Sequence, residues 1–138
     1  MDYPIYFTLP ELLHSATALK NKIENHPSFE EVNNLRKLGL MLDRIREKWG
    51  SAIVVSSGYR IEKLNTLLKG SKTSQHRYGQ AADIEAKNGK NKALFNVIVD
   101  MIKSGEIEVG QLIDEYNYDW IHISLPTDKH HNEIKHIK

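Results

Sequence analysis

The sequence predicts an α+β fold in one small domain. Three observations carry this. Helical apolar periodicity fills the first half, and short β-branched runs with turn residues between them fill most of the second. The 138 residues also fall within the usual one-domain size of about 100–200 residues. Helices segregated from strands in this way read as α+β rather than as alternating βαβ units.

The elements follow in order. Thr8-Leu9-Pro10-Glu11 has the form of a capping box with proline in the first turn, so a helix starts there and is expected to reach about residue 22. Asn25-His26-Pro27 breaks it, and Ser28 with Glu31 makes a second box. The helix Phe29–Trp49 places Val32, Leu35, Leu38, Leu42, Ile45 and Trp49 on one face, and Gly50 stops it. Residues 52–56 read as a buried strand, 61–68 as a short helix and 70–74 as a polar loop. Ala81–Ala86 is a second strand, and Asn91–Lys103 a helix with Leu94, Phe95, Ile98, Val99 and Ile102 inward. Residues 111–114 and 120–125 are two strands joined by the turn Glu115-Tyr116-Asn117-Tyr118. From Pro126 the chain is polar and reads as a loose tail.

Composition excludes several classes of function. Nineteen Lys and Arg balance eighteen Asp and Glu, too even for a general nucleic-acid binder. No cysteine is present, so thiolate metal sites, disulfides and cysteine nucleophiles are excluded. No run of about 18 apolar residues spans a membrane. Met1-Asp2-Tyr3-Pro4 lacks a basic region followed by an apolar run, so no secretory signal is expected. Gly70-Ser71-Lys72-Thr73 lacks the glycine spacing of a phosphate loop.

Three polar residues stand where order and burial are predicted. His76 closes the loop before a strand, Asp83 interrupts Ala81-Ala82-Asp83-Ile84, and His122 interrupts Trp120-Ile121-His122-Ile123. A buried polar group needs a partner, and two histidines with a carboxylate suffice for a catalytic zinc site. If the two strands are neighbours, alternation lets Asp83 and His122 point into one cleft. By spacing alone, isolated His and Asp residues in strands are more often satisfied core or edge residues than ligands.

The wider string is more specific. Ser56-Ser57-Gly58-Tyr59-Arg60, Asn65, Gly70-Ser71, Ser74-Gln75-His76-Arg77-Tyr78-Gly79-Gln80-Ala81-Ala82-Asp83-Ile84 and Trp120-Ile121-His122-Ile123-Ser124 occur in that order. This pattern resembles the M15 family of zinc peptidases, above all the small phage and prophage members related to D-Ala-D-Ala carboxypeptidases. The resemblance covers roughly residues 34–125. It implies an antiparallel sheet carrying the metal with helices packed on one side, and it makes His76, Asp83 and His122 the zinc ligands. It divides the chain into a peptidase domain over 1–125, with 1–27 as its helical extension, and a polar tail over 126–138.

Arg60 matches an arginine that lies near the scissile carbonyl in related dipeptidases, which implies oxyanion stabilisation or binding of a substrate carboxylate. The alternative is a structural arginine paired with an acid. Tyr59 reads as packing. Those dipeptidases carry a Glu three residues before the last histidine ligand. Here that position is Asp119, which is therefore expected to be the general base. Glu115, in the same turn region, competes with it, and Asp114 is a weaker candidate. Ser74 and Gln75 are expected near the ligand loop or the substrate. Gly79 and Ala81 are small where the loop would approach the metal, and turn chemistry explains them equally. His14, His26, His130, His131 and His136 read as solvated surface.

The expected function is zinc-dependent hydrolysis of peptidoglycan stem peptides by a monomer, as a D,D-carboxypeptidase or an endolysin-like endopeptidase. Without a signal, such an enzyme would be made in the cytoplasm and reach the wall by phage-type lysis. The alternatives are a zinc-stabilised binding module without catalysis and a metal-free structural subunit.

Overall fold

Both capping boxes form. In the computed structural model, which describes residues 2–138, Thr8 accepts from Glu11 N and Ser28 accepts from Glu31 N, and each glutamate carboxylate accepts in return. The first box starts helix α1, Leu9–Leu13. The single helix expected to residue 22 is instead divided. His14 turns extended, and the Ser15 hydroxyl accepts from Ala18 N to start α2, Ala16–Lys20. A serine side chain competes well for backbone N–H groups, so it favours caps over helix interiors. Helix α3 runs Phe29–Trp49 and ends on Gly50 in the left-handed region, φ 76°.

Five strands follow: β1 Ile53–Ser57, β2 Ala81–Ala86, β3 Gln111–Glu115, β4 Trp120–Ser124 and β5 Glu133–Ile137. Helix α4, Glu62–Leu67, and a 3₁₀ turn, Gln75–Tyr78, lie between β1 and β2, and α5, Asn91–Lys103, lies between β2 and β3. The sheet order is β1-β2-β4-β3-β5. The pairs β1·β2, β2·β4 and β3·β4 are antiparallel. The segment expected to be a loose tail instead supplies β5, which runs parallel to β3 and closes that edge of the sheet. Its exposed, charged residues hid the strand, because an edge strand solvated on one side carries little apolar signal.

Alternation separates the two faces of the sheet. Ala82, Ile84, Leu112, Ile121 and Ile123 join Leu35, Leu38, Leu42 and Ile45 of α3 and Leu94, Phe95 and Ile98 of α5 in one core. Asp83, His122, Ile113 and Glu115 therefore point to the opposite face. The first residues extend the core. Phe7 and Leu12 are buried in it, and the Asp43 carboxylate on α3 accepts from Ile5 N and Tyr6 N at 2.6 and 3.0 Å.

Candidate functional site

The register puts the three predicted ligands together. Asp83 of β2 faces His122 of β4 across the ladder, and the 3₁₀ turn delivers His76 above them. Asp83 Oδ1 lies 3.3 Å from His76 Nε2 and 3.2 Å from His122 Nδ1. Bonds of about 2.0–2.1 Å to a tetrahedral zinc would set ligand atoms about 3.3 Å apart. Gly79 ends the turn at φ 72°, and a side chain there would press on the Glu31 carbonyl and Leu35. Its missing side chain thus seats the ligand turn against α3, rather than against the metal.

Protons argue for a cation at this point. The Gly58 carbonyl can only accept, so His76 Nδ1 donates to it at 2.8 Å. Burial pushes the His76 imidazole down from its ordinary value, with Asp83 opposing, so the ring is neutral and Nε2 presents a lone pair. Burial would raise the Asp83 carboxyl, but chiefly its hydrogen bond with His122 outweighs this and holds Asp83 well below the usual range. A lone pair and a carboxylate oxygen thus face one another at 3.3 Å, an arrangement that a shared cation satisfies. His76, Asp83 and His122 can hold a metal ion, and the donor set fits zinc. The Gly58 carbonyl is the orienting partner that sequence reasoning could not name.

Arg60 is in place but heavily engaged. Its Nη2 donates to Asp83 Oδ2 at 3.2 Å, Nε to Ser57 Oγ at 3.0 Å and Nη1 to Asn65 Oδ1 at 3.5 Å. The geometry favours the arginine that pairs with an acid, here the candidate ligand Asp83. Ser74 caps the 3₁₀ turn by accepting from His76 N. Gln75 donates to the Leu125 carbonyl, and its buried Oε1 has no partner among the described residues.

These residues line one groove of about 380 Å³, in which Glu115 and Trp120 also stand. The structure does not bring Asp119 there. Asp119 is exposed in the β3–β4 turn, where its backbone N–H donates to the Glu115 carbonyl. Strand β3 runs one residue further than expected, and that residue is Glu115, opposite Trp120 on the groove face. Burial raises the Glu115 carboxyl above its ordinary value, and the Asp83 charge adds to this. Trp120 Nε1 is buried nearby, and among the described residues no acceptor meets it in full hydrogen-bond geometry. Asp114 points the other way, accepting from Tyr118 N and His136 Nδ1.

Gln111, Ile113 and His130 are among the groove residues that escaped the sequence reading. Alternation back from Glu115 identifies the first two. Nothing local identifies His130, which the β5 connection carries in. Reading His130 as solvated surface is corrected by its half-buried place in the groove; His136 is exposed, as expected, and its Nδ1 donates to the buried Asp114.

A Peptidase M15 family model matches residues 5–124 of this chain. No curated protein matches it.

Proposed function

The chain belongs to the M15 peptidase family, and from that premise we propose that it is a zinc-dependent hydrolase of peptidoglycan stem peptides with Glu115 as its general base. M15 peptidases are zinc-dependent in general, and the His76–Asp83–His122 cluster supplies a donor set of the right chemistry. One observation carries the reading. A half-buried carboxyl with a raised pKa shares a groove and a sheet face with that cluster.

When bound, zinc supplies Lewis acidity, polarising the scissile carbonyl and acidifying water. The remaining work falls to side chains. Ionised Glu115 accepts a proton from the attacking water, and the resulting carboxylic acid gives it to the leaving amine nitrogen, so the carboxylate is regenerated. Arg60 is a positioning residue that holds Asp83 through Oδ2 and leaves Oδ1 to the metal. His76 is kept neutral and oriented by the Gly58 carbonyl. The bond cut is either the terminal D-Ala–D-Ala linkage or an internal one, a crosslink or the L-Ala–D-Glu bond.

Digestion of purified peptidoglycan, with mass spectrometry of released fragments, tests this. New free amines should appear with zinc, vanish with chelator and return when zinc is restored, and the fragment masses name the bond. Zinc-loaded protein that cleaves no wall type would make the domain a binding module instead.

A further inference from the structure

The backbone that carries Gly58 and Arg60 is held from two sides. Its peptide bonds are trans, so the C=O and N–H of each plane point apart. In the Gly58–Tyr59 plane, the Gly58 carbonyl accepts from His76 Nδ1 at 2.8 Å, and Tyr59 N donates to the Leu12 carbonyl at 2.8 Å. In the Tyr59–Arg60 plane, Arg60 N donates to the His76 carbonyl at 2.9 Å, and the Tyr59 carbonyl accepts from Asn25 Nδ2 at 2.8 Å. His76 therefore bonds one edge of both planes, and the N-terminal extension bonds the other.

Asn25 completes this clamp. Its Nδ2 also donates to the Leu13 carbonyl at the end of α1, at 3.0 Å, and its Oδ1 accepts from Ile61 N at 2.8 Å. One half-buried side chain thus joins α1 to the backbone on either side of Arg60. Gly58 permits the close approach, because a Cβ there would strike the Leu12 carbonyl. The sequence shows Asn25 only as part of a helix break. A planar peptide unit cannot move one edge alone, so a shift on the Asn25 side reaches the edge that holds His76.

We propose that Asn25 is a positioning residue for the metal: it fixes the Gly58–Ile61 backbone and, through it, the place and ring direction of His76. This role rests on the reading of His76, Asp83 and His122 as a metal site, and not on the identity of the substrate. It makes the N-terminal extension part of the metal centre, although none of its residues reaches the groove.

Zinc affinity, measured by competition with a chromophoric chelator well below the melting midpoints, tests this. Under those conditions the variants are folded, so a residue that merely adds stability leaves the affinity alone. Asn25→Ala should bind zinc about tenfold more weakly, the lower end of what is lost with a group that orients a metal-bound histidine. Asn25→Asp keeps the acceptor for Ile61 N and loses both donated bonds. It should weaken zinc in the same sense, and it serves if Asn25→Ala does not fold. Ser15→Ala removes the α2 cap in the same extension and touches none of these bonds, so it should lower the melting midpoint and leave zinc affinity unchanged. Wild-type affinity in both Asn25 variants, or an equal loss in Ser15→Ala, would overturn the proposal. Wild type that binds no zinc would sink the metal reading and this role with it. A loss of affinity in Asn25→Ala, in a protein that cleaves no wall type, supports the role and sinks the peptidase reading alone.

Discussion

The Glu115 carboxyl must be ionised to take a proton, and burial together with the Asp83 charge raises its pKa. The rate should therefore climb with pH through a limb above the ordinary glutamate range of about 4.3–4.5. Glu115→Gln should remove that limb and cost about 10²–10⁴-fold in kcat with zinc content unchanged. Asp119→Asn should stay within about twofold, since Asp119 lies outside the groove. Equal losses in the two variants would refute the exchange of roles. The ligands make a second statement about pH. His76 and Asp83 are both held below their ordinary values, so the unfolded chain binds more protons than the native one as pH falls. Metal-free protein should lose stability on acidification, first below about pH 6.5 through His76 and again below about pH 4 through Asp83. Thermal melts across that range check it, and Asp83→Asn should flatten the lower step.

At the scale of elements, one buried acid ties the β3–β4 turn to β5, beside the β3–β5 ladder. Asp114 accepts from Tyr118 N at 2.5 Å in the β3–β4 turn and from His136 Nδ1 at 3.0 Å in β5. The turn needs such a tie, since Tyr116, Asn117 and Tyr118 all have φ between 52° and 65°. Asp114→Ala leaves the part-buried Tyr118 and His136 donors without their acceptor and should cost about 1–3 kcal/mol, read as a lower urea midpoint with an unchanged slope. The same elements show what a sequence can and cannot carry. The caps at Thr8 and Ser28, the stop at Gly50 and the α3 and α5 faces are local devices, and all form as expected. His76, Asp83 and His122 were legible because each is a polar residue placed in an ordered or apolar context. Glu115 was obscured by a strand end misplaced by one residue, and at a strand end one residue decides whether a side chain lies on a face or in a turn. β5 and His130 depend on a long-range parallel pairing that leaves no periodic trace of its own.

The whole molecule is organised so that the site exists only when the sheet does. The three candidate ligands come from a 3₁₀ turn and two strands, Arg60 from the β1–α4 connection, and Glu115 from a third strand. None of these is near all the others in sequence, and the unfolded chain has no reason to gather them. Metal binding is therefore native-state binding, and its free energy adds to that of folding. At free zinc one hundred times the dissociation constant, the gain is about 2.7 kcal/mol. For a chain of this size that corresponds to a rise in Tm of roughly 10 °C. Calorimetric melts with zinc, with chelator and with zinc restored should show the rise, its loss and its return. His122→Ala removes one ligand without touching the helical core, so its melting temperature should no longer respond to zinc. A variant that keeps the full response would place the metal elsewhere, and with it the chemistry assigned to this groove.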